Sequence, residues 1–156
     1  MAGPRFLYVP TVATGEDGGG EPVTGVTWRL VGGNNRELGR AAAALADLAT
    51  CRAEVAELRA QAARLCPVLA MAGGMGMWAW RVALDKRLVA VAPRPYRRQR
   101  EAQYNLGQFL AALPAAVLPE GVSVRPRLRD LHLGTRLRPA PGDGRAPRSL
   151  AVGEGR

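Results

Sequence analysis

Between Thr24 and Leu113 the large apolar residues follow two periods, and each period occurs twice. Val26, Trp28 and Leu30 take every second position, as do Trp78, Trp80, Val82 and Leu84. That is the spacing of a half-buried strand. Gly32-Gly-Asn-Asn35 and Asp85-Lys86 follow as turns, because Gly, Asn and Asp tolerate positive φ. A second strand is predicted near Glu37–Ala41 and again near Arg87–Ala92. The spacing then lengthens. Leu45, Leu48, Cys51, Val55, Leu58, Ala62 and Leu65 recur at threes and fours, which predicts a helix. Glu101 to Leu113 predicts another, carrying Tyr104 or Asn105, Leu106, Phe109, Leu110 and Leu113 on one side and stopped by Pro114.

The two halves align. Trp28-Arg29-Leu30 matches Trp80-Arg81-Val82 at an offset of 52, and Leu38, Leu45, Val55 and Leu58 match Val89, Tyr96, Leu106 and Phe109 at 51. Ala41–Ala44 has high helix propensity, yet its counterpart Ala92-Pro-Arg-Pro95 cannot be helix interior. The repeat therefore predicts that the first helix begins later, with Asp47 capping it by accepting a backbone N–H near Thr50. The expected fold class is α+β: two strand–strand(–strand)–helix units forming an antiparallel sheet with two helices on one face. A unit of roughly 40 residues is too small to hold a core unaided, so each half is expected to wall in the other's Trp and Leu side chains.

These residues resemble the YegP-like family of small tandem-repeat bacterial proteins. Trp28, Arg29, Asn34, Asn35, Leu38, Cys51 and Val55 carry the likeness in the first unit, and Trp80, Arg81, Val89, Tyr96, Asn105 and Phe109 in the second. The resemblance implies a compact α+β fold with a pseudo-twofold. It brings no catalytic residues, because the family's function is undefined.

Around the repeat, residues 1–22 are Gly-rich and acidic and are expected to be flexible, with Phe6–Val9 as a short edge strand before Pro10. The first unit is assigned to 23–66 and the second to 77–113. The stretch 67–76 is rich in Gly and Met and is expected to be a linker. Residues 114–156 mix Pro, Gly and Arg with few large apolar side chains, so a largely disordered tail is expected, with local pairing at Val122–Val124.

Composition adds a partner class and removes others. The 156 residues carry a net charge of +9. Residues 93–156 hold twelve basic and five acidic side chains, against ten and eight in residues 1–92. A basic half suits an anionic partner, although arginine in place of lysine at all but Lys86 also reflects a GC-rich coding sequence. No apolar run approaches the ~20 residues of a membrane-spanning helix, and the N-terminus does not resemble a signal peptide. A cytoplasmic location without membrane association is expected.

Candidate chemistry is sparse. His132 is the one histidine and lies in the tail. Cys51, Cys66 and His132 lack zinc-ligand spacing, and both thiols are expected to be buried in a helical pattern. Glu54 and Glu57 lie beside Arg52 and Arg59 and are expected on a solvated helix face. Gly73-Gly-Met-Gly76 lacks the Lys-Ser/Thr of a phosphate-binding loop. No enzyme activity, cofactor or metal is expected. Trp28–Arg29 and Trp80–Arg81 place Trp in the core and Arg on the other face, with a symmetric groove of Arg29 and Arg81 as the alternative.

Two functions remain in view. One is a protein-interaction module, with an unknown protein partner on a sheet edge or a homodimer. The other is nucleic-acid (DNA or RNA) or polyanion binding through Arg94, Arg97, Arg98 and Arg100, with Arg125, Arg127 and Arg129 in the tail. Against the second stands a plain solvated basic surface.

Overall fold

The computed structural model describes residues 2–13 and 23–122. Six strands form one antiparallel sheet: β1 (Arg5–Ala13), β2 (Val23–Val31), β3 (Glu37–Ala41), β4 (Cys66–Ala72), β5 (Met77–Leu84) and β6 (Arg87–Val91). Helix α1 (Leu48–Ala60) follows β3, and α2 (Gln99–Ala112) follows β6. The sheet order is β1-β2-β3-β6-β5-β4, so two identical βββα units meet where β3 pairs with β6. Arg40 lies opposite Val91 there. These two positions are also related by the offset of 51, which places the pair on the pseudo-twofold axis. The α+β fold with helices over an antiparallel sheet is as the periodicity predicts.

Local details follow the repeat. β3 spans Glu37–Ala41 and gives way to irregular chain. Leu45 then forms an isolated antiparallel bridge with Val26, and Tyr96 forms its counterpart with Trp78. Asp47 accepts the Thr50 N–H at 2.7 Å and caps α1. That hydrogen bond holds the Asp47 carboxyl below its ordinary range. Asn35, Asp85 and Lys86 occupy positive φ in the two hairpin turns.

Three expectations change. The stretch expected to be a linker contributes β4, pairing with β5 from Cys66↔Ala83 to Ala72↔Met77, before a single 3-10 turn at Gly73–Met75. Helix α1 ends at Ala60, so Leu65 and Cys66 leave the helical pattern and Cys66 is exposed at the start of β4. At the N-terminus β1 runs nine residues, straight through Pro10. Proline is tolerated because β1 is the outermost of the six strands, where a residue without an N–H need not serve two neighbours.

The first residues of the expected tail also have a place. Phe6 N–H donates to Val117 O at 2.9 Å, Val117 N–H donates to Pro4 O at 3.0 Å, and Tyr8 bridges Val122 in parallel. The parallel sense follows from the repeat. Chain leaving α1 becomes β4, the first strand of the second unit. Chain leaving α2 heads for the equivalent site, finds β1 already there, and lies beside it.

Both indoles are fully buried, and their N–H groups are answered alike. Trp28 Nε1 donates to Glu54 at 3.0 Å, and Trp80 Nε1 donates to Asn105 at 2.6 Å. Glu54 is therefore not on a solvated face; it is buried as an acceptor, since an unpaired indole N–H in this core would be costly. Glu57 is half-buried and bridges Arg87 at 3.0 Å. Arg29 lies on the opposite sheet face, 3.9 Å from Glu37, and Arg81 is exposed. β3 and β6 stand between them, so they form no shared groove.

Phe109 joins the halves. Its ring stacks on Trp28 at a centroid distance of 6.3 Å and tilts against Trp80 at 4.8 Å. It lies directly on the backbone of Gly39, where a Cβ would come within 2.5 Å of the Phe109 ring and 2.8 Å of Trp80. Substituting Gly39→Ala is expected to cost about 1–3 kcal/mol by overpacking. Shortening the ring with Phe109→Leu should relieve part of that cost. In a double-mutant cycle by urea denaturation, Gly39→Ala/Phe109→Leu is expected to be less destabilised than the sum of the single changes. Strict additivity would contradict the contact.

Candidate functional site: an arginine-lined groove

Gly39 and Phe109 fix the distance between the β2–β3 hairpin and α2, and a groove of about 1280 Å³ opens between them. One wall is the hairpin turn of the first unit, with Gly32, Gly33, Asn34 and Arg36. The other wall belongs to the second unit: Pro93, Arg94 and Tyr96 from the loop after β6, then Arg100, Glu101, Tyr104 and Gln108 from α2. Glu101, Tyr104 and Gln108 fall three and four apart, so one face of α2 looks onto the groove.

Its electrostatics are set by which charges are already answered. Glu37 lines the groove but is held by Arg40 through two contacts, at 2.7 and 2.8 Å. Arg36, Arg94 and Arg100 make no ion pair among the described residues, and neither does Glu101, so three cations face one anion in the lining. Arg94 lies over the Tyr96 ring with its guanidinium carbon 5.0 Å from the centroid. Tyr104 is 71% exposed.

The structure thus divides the predicted arginine cluster. Arg94 and Arg100 face the groove. Arg97 and Arg98 are exposed at the start of α2, outside the lining, with Arg98 at the N-cap. Tyr96, aligned with the buried Leu45, is only half-buried and presents its ring to Arg94. Arg36 joins from the other unit; only knowledge of how the halves pack could have found it. Arg125, Arg127, Arg129 and His132 lie outside the described residues.

The second unit's hairpin and α1 offer a pseudo-equivalent position, and it is furnished differently. At the offset of 51, Arg94, Arg100 and Tyr104 correspond to Ala43, Ala49 and Ala53. Arg36 corresponds to Arg87, which is tied to Glu57, and Glu57 corresponds to Gln108. One position pairs its arginine with a carboxylate and has alanine at the three corresponding places; the other holds three guanidiniums without an ion pair among the described residues.

Other chemistry is limited. Among the described residues no three His, Cys, Asp or Glu side chains gather to hold a metal. Burial pushes the Cys51 thiol up to about 12, with Glu54 adding to the effect, so it stays protonated at neutral pH. Cys66 is exposed. No helix among the described residues is long and apolar enough to cross a membrane.

A chain of two βββα units sharing one sheet defines a fold with a solved counterpart. The solution structure of the E. coli protein yegP, a protein of unknown function, superposes with a TM-score of 0.52 over 76% of this chain and 92% of that one, at 11% identity. The likeness is one of fold. No family model matches the sequence, and neither does any curated protein.

The contrast between the thiols is directly measurable. Iodoacetamide at pH 8 is expected to label the native protein once, at Cys66, and the urea-unfolded protein twice, as read by intact mass and peptide mapping. Labelling of Cys51 in the native state would contradict its burial.

Proposed function

We propose that this is a YegP-like, non-catalytic binding module whose groove receives an anionic ligand. The observation that carries the reading is the asymmetry between the two pseudo-equivalent positions. At the pseudo-equivalent position the guanidinium is already answered, Arg87 by Glu57 at 3.0 Å. Arg36, Arg94 and Arg100 instead converge on one concavity without carboxylate partners, drawn from both units. Guanidiniums so placed grip phosphate or carboxylate through paired N–H donors.

The test uses inorganic polyphosphate as a probe on the full chain. The triple variant Arg36→Ala/Arg94→Ala/Arg100→Ala is expected to weaken binding by more than about tenfold at 100 mM salt and to flatten its salt dependence. Arg87→Ala, at the paired position, should leave both unchanged. Equal effects of the two variants would point to general charge and count against the groove.

A second reading concerns β4, which has a neighbour on one side only among the described residues. Its sequence CPVLAMA carries no charge, and Val68 and Met71 are 53% and 61% exposed. Uncharged edges of identical chains can meet antiparallel without the like-charge repulsion that a +9 chain otherwise imposes. The occupant proposed is β4 of a second copy. Sedimentation equilibrium should show a concentration-dependent dimer that Val68→Lys abolishes. A monomer throughout the micromolar range would remove this reading.

A further inference from the structure

We infer that the ligand of the groove is a single strand of nucleic acid, held by base stacking as well as by charge. The inference rests on the groove being the anion site and adds its chemistry. A site for a bare polyanion needs cations alone. This one sets two tyrosines among its arginines. Tyr104 keeps most of its ring in water. Its counterpart across the pseudo-twofold is Ala53, so the fold itself does not require an aromatic there. Tyr96 carries the Arg94 guanidinium over its ring, 5.0 Å from the centroid, so cation and aromatic face are presented together. Single strands are bound by this combination, a cationic groove that tracks the backbone with aromatic faces for successive bases. Base readout in a duplex calls for a different shape. Duplex base edges are reached by a helix or ribbon that protrudes into a groove, whereas here the cationic surface is itself the concavity.

Magnitudes follow from the residue count. Three arginines on phosphates of a single strand predict a slope of roughly −2 in log affinity against log salt, about 20-fold weaker binding between 50 and 200 mM. Loss of one stacked base predicts a 5- to 100-fold drop, on the order of what alanine substitution of stacking aromatics gives.

The experiment measures fluorescence anisotropy of the full chain with labelled twelve-residue oligo(U) and oligo(dT), a twelve-base-pair duplex, and inorganic polyphosphate as competitor. The expected result is preference for either single strand over the duplex. Tyr104→Ala should weaken oligonucleotide binding 5- to 100-fold, Tyr104→Phe should restore it, and polyphosphate affinity should be the same in all three. Tyr104 makes no hydrogen bond that packing depends on, so an unchanged melting curve is expected for both variants. Duplex binding as tight as single-strand binding would overturn the inference. So would oligonucleotide binding indifferent to Tyr104→Ala; in that case the anion groove would survive without the base contacts. Absence of salt-sensitive binding to any of the four probes would remove both.

Discussion

The structure turns on one ring. Phe109 reaches from the helix of the second unit across the sheet's centre, lies on Gly39 of the first, and touches the indoles of both. Each βββα unit has a single helix to cover three strands, which leaves its Trp exposed along one flank. Phe109 closes that flank for both units together. A hydrogen at Gly39 Cα is what lets the ring sit so low; the equivalent β6 residue, Ala90, carries a methyl because Leu58, not a ring, is the counterpart of Phe109. The pseudo-twofold is thus broken at its own centre, and the two helices do not ride at equivalent positions on the sheet. The groove opens beside this break.

Duplication explains how such a site arises at low structural cost. The interactions that hold the fold occur in both halves: the capped or extended entry to each helix, the indole N–H answered by a helix side chain, the isolated bridge before each helix. None of them uses the outward face of α2. That face is free to carry Arg100 and Tyr104 where α1 carries alanines, and the loop before it is free to carry Arg94. Residues that hold the fold and residues that line the groove therefore alternate along the same stretch of chain.

The repeated strands, turns and Asp47 cap were legible because their signals are local: alternation, positive-φ residues, a carboxylate three residues before an N–H. The strand β4 was not. In CPVLAMA both faces are apolar or small, so no alternation marks it, and the following Gly73-Gly-Met-Gly76 draws the eye to a linker. Glu54 was misplaced for a related reason. A carboxylate on a helix with Arg neighbours reads as solvated, and only the indole facing it shows why it is buried. Of the groove, Arg94, Arg100 and Tyr96 were visible as a cluster in sequence. Arg36 was not, since it lies more than fifty residues away and arrives through the packing of one unit on the other.

The strip from Val117 to Val122 beside β1 has a consequence for growth. A sheet with two bare borders can add molecules at each end without limit, and filaments result. Among the described residues, part of one border, at Arg5 and Tyr8, meets the chain's own continuation in parallel, while β4 has a neighbour on one side only. Joining through β4 alone would stop once two copies had met, whereas joining through both borders would not.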